Sequence, residues 1–517
     1  MKETAKMHEK TLKTVVKGAG IAFFGLFIGK LFAYLIRVFI ARNLGPDVYG
    51  LISIGVAVIS ILMTVSLIGF TPGITRFIAF YHGKNNQRKI KGSILSSFKI
   101  TLPISIFLSC LLFIFSEKLA FFLSKPQMIP IFQFFSLAIP LLAIIHLVYS
   151  IMLGYKMIKY KVYIVDIGKN LSTFLFIAAL FYLGFGVYGA IFGFLLGYLF
   201  STILGIYYLK DKVLSQLKNI KPLSVDKELI VFSFPLMLMG MSLLLMGWTD
   251  ILVLGFFEEA TNVGIYSAAL NTCVLLTFLL QAFRLIFMPI ISELFSSGKV
   301  QEIRRIYKTL TRWLFSFIFP MFLLFIIFPD KILVLFFGSE FVSGSSALVI
   351  LTFGYLLLIS TGLPLYTITA IGKTKLNMYI TVLAAVSNLI LNLVLIPIFG
   401  IIGAAIAMTV SLAFRGIVSL CFLYKEIKIQ PYDKSYLKPF FASLFSAGAI
   451  YVIFKIIFKP VTFPMLVIGF VLFVFLYMIL ILLMRGLTKE DIMIIKTVEK
   501  RTGLKVNWVR NIIKRFV

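Results

Sequence analysis

Two cations, Lys30 and Arg37, stand inside the otherwise apolar stretch GAGIAFFGLFIGKLFAYLIRVFI at 18–40. A charge held at mid-bilayer costs about 2.5 to 3.5 kcal/mol, so such a residue usually has a job. Seven residues are close to two helical turns, which puts both side chains on one side of a helix, and that side must face protein or a water-filled cavity. Arg284 and Arg415 lie in later apolar runs in the same way. Arginine meets a phosphate through a bidentate fork and lysine as a point charge, so the four together suit an anionic headgroup. Only two carboxylates, Asp166 and Asp250, lie clearly within apolar runs. Asp250 sits near the end of its run, as Arg37 does, and is expected to pair with Arg37 as an outer gate or to act as a coupling group. Asp166, four residues before Asn170, is expected at an interface. Asn388 and Asn392, also four apart, share a helix face. Interhelical hydrogen bonding is their default role and sugar contact the alternative. Lys169 and Lys455 are expected to snorkel to the membrane surface.

The elements that must position these residues follow from composition. Of 517 residues, 60% are hydrophobic and 14% charged, far more apolar surface than a water-soluble domain can bury. Continuous runs of about 20 apolar residues recur along the chain, which marks helical spans rather than the alternating strands of a membrane barrel. Fourteen spans are expected: 18–41, 49–70, 93–116, 131–152, 162–183, 187–209, 229–256, 263–295, 307–328, 345–370, 376–398, 401–424, 437–458 and 464–484. The runs at 263–295 and 345–370 are long enough to tilt or break. No cleavable leader is expected, because the first run is of full spanning length. With the N-terminus inside, 39 of the 50 lysines and arginines fall on the inner side. Both termini are therefore expected in the cytoplasm.

The chain also repeats. LGPDVYG at 44–50 answers LGFFEEATNVGIYSA at 254–268, pairing Tyr49 with Tyr266 at an offset of 217, and HisGlyLys at 82–84 answers SerGlyLys at 297–299 at 215. Gly154 answers Gly372 at 218, and GVYGAIFG at 186–193 answers GIIGAAIA at 400–407 at 214. Six spans separate corresponding points, an even number, so the repeats run parallel about an axis along the membrane normal. The expected organisation is an all-α integral membrane protein with two parallel six-helix lobes. A cytoplasmic N-terminus (1–17) precedes an N-lobe (18–210), an inter-lobe linker (211–228) and a C-lobe (229–425). Two further spans (437–484) lead to a basic amphipathic tail (485–517), expected to lie at the membrane interface.

The loop ARNLGPDVYG, the run from TrpThrAsp at 248–250 to Gly255 with NVGIYSAA after it, MPIIS at 288–292, PheGlySerGluPhe at 337–341 and the run at 388–405 occur here in one order. In that order they resemble the polysaccharide (O-antigen type) flippases of the multidrug/oligosaccharidyl-lipid/polysaccharide exporter superfamily, over roughly residues 15–425. The resemblance implies two six-helix lobes around a central cavity. It implies a flippase that carries a polyprenyl-linked oligosaccharide from the cytoplasmic to the outer leaflet of the cell membrane by alternating access. The independent reading agrees, because a lipid-linked phosphate or pyrophosphate needs cations in a polar passage. Lys30, Arg37, Arg284 and Arg415 are the expected headgroup contacts.

Other chemistries find little support. A net charge of +30 is spread over short loops, which topology and anionic lipid headgroups explain without nucleic acid. Gly372-Lys373-Thr374 ends like a phosphate-binding loop, but Thr367 stands where its first glycine belongs. Cys110, Cys273 and Cys421 are scattered, and His8, His82 and His146 lack the companions a zinc site needs. No enzyme, metal or bound cofactor is expected; a proton or sodium gradient or the membrane potential would drive transport. The chain is expected to work as a monomer, with membrane lipids and a glycan polymerase or transferase as neighbours. A cation-coupled multidrug exporter of the same superfamily is the alternative, and it would need buried carboxylates where span 1 holds Lys30 and Arg37. A non-transporting scaffold for glycan enzymes is the third reading.

Overall fold

The computed structural model describes residues 2–361, 363–432, 434–456 and 463–484, and every regular element among them is helical. The expected interfacial tail at 485–517 lies outside the described residues. In chain order the helices are α1 (Lys2–Leu67), α2 (Phe70–Gly83), α3 (Gln87–Ile114), α4 (Ser116–Phe122), α5 (Met128–Ser136), α6 (Ala138–Gly154) and α7 (Ile158–Lys161). A π-helical stretch, Val162–Lys169, joins α7 to α8 (Asn170–Tyr182), and α9 (Gly186–Leu209) follows. Then come α10 (Asp226–Phe257), α11 (Ala260–Val274), α12 (Phe278–Ser296), α13 (Val300–Ile327), α14 (Pro329–Phe336), α15 (Ser345–Ser360) and α16 (Pro364–Ala370). The last three are α17 (Thr374–Ile427), α18 (Leu437–Ile456) and α19 (Phe463–Leu483). Ten of the helical segments are long and apolar enough to cross a membrane, or eleven when the bent pair α5 and α6 counts as one. The chain is a multi-pass membrane protein of helical class, as expected.

Two very long helices are broken by glycine. In α1 the break is Gly45, with φ 78° and ψ 175°, and Pro46 follows without an N–H to donate back. In α17 it is Gly400, with φ 55° and ψ −128°, three residues after Pro397. Both conformations are readily available to glycine alone. The long run at 263–295 also breaks, at the 3₁₀ turn Leu275–Thr277, and the run at 345–370 divides into α15 and α16.

Residues with positive φ stand at related places in the two halves of the repeat. Asn85 and Gly298, Ser124 and Gly338, Lys156 and Gly372, and Gly186 and Gly400 all have positive φ. They lie 213, 214, 216 and 214 residues apart, so the repeat seen in sequence extends to turn conformation.

Contacts divide the chain into two compact units. The first comprises Met1–Asn271, Phe336–Phe341 and Thr381–Ala407; the second comprises Thr272–Leu335, Val342–Ile380 and Met408–Val517. Inside the first unit, α11 crosses the part of α1 beyond its break with no space for side chains. A Cβ on Gly50 would strike the Ala260 carbonyl and the Gly264 nitrogen, and one on Gly264 would strike the Pro46 carbonyl and the Gly50 nitrogen. Gly50 with Gly264, and Pro46 with Ala260, are each 214 apart, so the contact is made by two counterpart segments in reciprocal fashion, as at a two-fold interface. The crossing therefore sets a register of 214 here, three residues from the sequence pairing of Tyr49 with Tyr266. The PheGlySerGluPhe segment seals the same end. Phe337 packs against Tyr34 and Tyr49 at 6.0 and 6.3 Å between ring centroids, and Phe341 packs against Tyr49 at 6.3 Å.

Gly45→Val should destabilise the detergent-solubilised protein by about 1–3 kcal/mol, because it forces a branched side chain into a glycine-only backbone conformation. Thermal unfolding read by tryptophan fluorescence measures this. Gly83→Ala, with open space around the added carbon, is the control and should leave the transition in place.

Candidate functional site

The cation Lys30 projects from α1 beside the π-helical stretch and is exposed. Its position is set by Gly29, whose Cα lies against the Asp166 backbone with no space for a Cβ. Asn170 clamps the same place, its Nδ2 donating to the carbonyls of Gly29 (3.0 Å) and Asp166 (3.1 Å). Asp166 is buried, and Lys161 Nζ lies 2.8 and 2.7 Å from its two carboxylate oxygens. Asp166 is thus held in an ion pair with Lys161 at the start of the span expected at 162–183. Lys169 departs from expectation. Rather than reaching for the membrane surface, its ammonium lies 5.9 Å from the centroid of the buried Tyr198 ring, inside the helix cluster. The side chain of Lys455 lies outside the described residues.

Arg37, one helical side along from Lys30, is half-buried and donates to Asn271 Oδ1. Asn271 in turn donates from Nδ2 to Tyr49 Oη (3.0 Å) and to the Ser267 carbonyl (2.7 Å).

Asp250 on α10 is 1% exposed. Tyr266 of α11 donates its hydroxyl to Oδ2. Asn388 and Asn392, one turn apart on α17, both donate to Oδ1, at 3.0 and 2.6 Å. Arg37 and Asp250 thus do not form the expected ion pair in this structure. Each is instead held by neutral hydrogen-bonding partners, and a carboxylate with three donors already aimed at it has little to gain from a distant guanidinium. The asparagines take the interhelical role, and their two Oδ1 atoms are left buried without a partner. No cation pairs with Asp250 among the described residues.

The second unit holds Arg284 and Arg415. Arg284 is exposed and lies 5.0 Å over the Tyr366 ring. Arg415 is half-buried, and its Nε is enclosed without an acceptor. With Tyr366, Thr361 and Ser419 it lines a cavity of about 30 Å³, room for a water or one phosphate oxygen. The two arginines therefore meet at one tyrosine, which sequence spacing had not paired.

Lys125 was missed as well. It lies in the turn between α4 and α5, 7% exposed, and its ammonium donates to the carbonyls of Gly255 (2.6 Å), Glu258 (2.7 Å) and Leu123 (3.2 Å). It thereby caps the C-terminus of α10, where carbonyls lack helical partners. Burial lowers its pKa, against the raising influence of Asp47, Glu258 and Glu259. The sequence offers only one signal here, a lone lysine in the short turn at 123–127.

A family model described as "Polysaccharide biosynthesis protein" matches residues 15–295. The chain belongs to the polysaccharide biosynthesis protein family. A second model, MatE, matches residues 235–394, which include Asp250, Arg284, Asn388 and Asn392. An uncharacterized membrane protein of Methanocaldococcus jannaschii is 25% identical over 460 residues, covering 83% of this chain and 88% of the relative. The probable low-salt glycan biosynthesis flippase Agl15 of Haloferax volcanii is 30% identical over 184 residues, 35% of this chain and 39% of that protein. Among solved structures, an inward-facing multidrug resistance MATE family transporter of the MOP superfamily superposes with a TM-score of 0.68, at 15% identity, over 79% of this chain and 98% of that one. The lipid II flippase MurJ in an inward closed conformation superposes with a TM-score of 0.65, at 17% identity, over 88% and 97%. At these identities the structures establish a shared fold. The family places this chain in the superfamily that its sequence motifs resemble.

Tyr266→Phe should cost about 1–3 kcal/mol of stability by leaving Asp250 Oδ2 unsatisfied in a buried site. Combined with Asp250→Asn, a double-mutant cycle on urea-unfolding free energies should show a coupling of at least about 0.5 kcal/mol, the mark of contacting residues.

Proposed function

We propose that the chain is a flippase, not an enzyme, which moves a polyprenyl phosphate- or pyrophosphate-linked oligosaccharide from the cytoplasmic to the outer leaflet of the cell membrane for surface glycan biosynthesis. The observation that carries this reading is Arg415: a guanidinium inside the helical bundle, with an enclosed Nε that has no acceptor among the described residues. Such a donor is satisfied by an acceptor that arrives, and a phosphate oxygen is the natural one. Lys30, exposed on α1 and without a hydrogen bond or ion pair among the described residues, offers a second unspent cation. Arg37 and Arg284 are the further headgroup contacts, each set near its cation by α1 and α12.

The finer topology belongs to the same proposal. The helix broken at Gly45 is 66 residues long and the one broken at Gly400 is 54, about 99 and 81 Å at 1.5 Å per residue, far more than a bilayer core of about 30 Å. Each is read as two spans. With α5 and α6 as one span and α18 and α19 as the last two, the count is fourteen, in two lobes at 18–210 and 229–425 with both termini cytoplasmic. The Gly50–Gly264 crossing then lies on the outer side and is the contact that must part for outward release by alternating access. The working unit is a monomer, with a glycan polymerase or transferase as its neighbour.

Asp250 is the proposed coupling group. A buried carboxylate without a cationic partner is costly as an anion, and it is relieved by taking up a proton or a sodium ion. The orphaned oxygens of Asn388 and Asn392 supply hard ligands for the latter once their amides turn. The MatE match and the superposed MATE transporter favour a second reading, a cation-coupled multidrug exporter. Against it, Lys30 and Arg37 would repel cationic drugs.

Complementation of a flippase-deficient host decides between them. The native chain should restore surface glycan, and Lys30→Ala or Arg415→Ala at matched membrane abundance should reduce it about tenfold or more, the equivalent of one lost charge-assisted hydrogen bond. Glycan export indifferent to both substitutions, with drug resistance conferred, would move the exporter reading ahead.

A further inference from the structure

Within the first unit, one carboxylate has three lysines in its neighbourhood. Lys161 pairs with Asp166, α1 packs Gly29 against the Asp166 backbone, and Lys30 and Lys169 each interact electrostatically with both members of the pair. Lys161 is the one with a direct contact, gripping both carboxylate oxygens at 2.7 and 2.8 Å. That contact depends on local backbone form. Residues five apart on an α-helix point about 140° away from each other. The π-helical stretch Val162–Lys169, with its i to i+5 hydrogen bonding, brings position 166 back beneath position 161. Lys161 sits at its start, Asp166 in its middle and Lys169 at its end. The three lysines are left with two positive charges beyond what Asp166 neutralises.

We propose that Asp166 is a built-in counter-ion: it occupies Lys161 while the site is empty and gives Lys161 up to the phosphate oxygens of an anionic headgroup, which Lys169 also contacts. The inference rests on the lipid-linked glycan reading and adds two residues and an order of events to it. A carboxylate and a phosphate compete for the same ammonium, so loading the headgroup frees Asp166 and releasing it restores the pair. Asp166 then promotes release. A shift of one residue from π- to α-helical hydrogen bonding would turn Asp166 away from Lys161, which gives the exchange a mechanical counterpart.

The test uses the full chain, purified in lipid nanodiscs, with farnesyl diphosphate as the headgroup probe, inorganic pyrophosphate as the free anion and farnesol as the uncharged control. Asp166→Asn should bind farnesyl diphosphate about tenfold more tightly and flip a fluorescent prenyl-diphosphate glycolipid more slowly; Lys169→Met should bind about tenfold more weakly. Tighter binding with slower turnover is a split that a merely structural residue would not produce. Asp166→Asn combined with Lys161→Gln removes the pair without leaving an unpaired charge. It should bind about tenfold more weakly than Asp166→Asn alone, because the released cation is gone, and thermal unfolding reports whether each variant is folded. If the double variant binds as tightly as Asp166→Asn alone, or if Asp166→Asn and Lys169→Met bind like the native chain while Lys30→Ala loses binding, the counter-ion role is overturned and the headgroup reading stands. If the native chain binds neither anion, the headgroup reading fails and takes this one with it. Farnesyl diphosphate bound at least tenfold more tightly than pyrophosphate marks a lipid headgroup. Equal affinities mark a free-anion site, and an equal response to farnesol marks a tail effect; either result overturns the proposal.

Discussion

A charged or polar group inside hydrocarbon has no water to turn to, and nearly every feature of this protein answers that constraint. Asp250 answers it with a tyrosine and two asparagines, Asp166 with Lys161, and Arg37 with Asn271. Lys169 answers it with the face of an aromatic ring. Among the described residues, Arg415 Nε and the two asparagine Oδ1 atoms are among the buried side-chain atoms left without a partner. The first is a donor that an anion would satisfy, and the others are acceptors that a cation would satisfy.

Backbone groups obey the same constraint, which is why the breaks between long helices are so short. Gly45 and Gly400 reverse the local conformation within a single residue, and Lys125 brings an ammonium to carbonyls that the end of α10 leaves free. The glycine crossing at Gly50 and Gly264 serves packing instead. Helices in lipid gain little from the hydrophobic effect between them, so close backbone approach through small residues supplies the attraction. A contact built on van der Waals fit between counterpart segments is strong when closed and loses little solvation when it opens.

Much of this was legible in the sequence. Spanning runs, helical class and the repeat are properties of local composition and spacing, because a bilayer demands about 20 apolar residues whatever the helix packs against. The two suspect runs at 263–295 and 345–370 proved broken for the same local reason, excess length. The chemistry of the spans was legible in part: the unusual residues Lys30, Arg37, Asp250 and Arg415 stand out because their cost is intrinsic. Their partners were another matter. Asp250 meets Tyr266, sixteen residues away, and Asn388 and Asn392, about 140 residues away, and Arg284 and Arg415 meet at Tyr366. The asparagine pair was legible as interhelical hydrogen-bonding groups from its spacing, but neither it nor the tyrosines named a partner.

Sequence by itself determined which residues had to be explained, since transfer into hydrocarbon is paid residue by residue and can be read from residue type. Only tertiary structure decided how each was satisfied. The Arg37–Asp250 pair looked sound because both residues stand near the ends of counterpart spans, yet packing gave each a nearer, neutral partner. Lys161 and Asp166, five residues apart, would diverge on an α-helix, and a π-helical stretch brings them together. Hydrogen bonds and ion pairs act over about 3 Å, and neither charge nor hydropathy along a chain specifies distance at that scale.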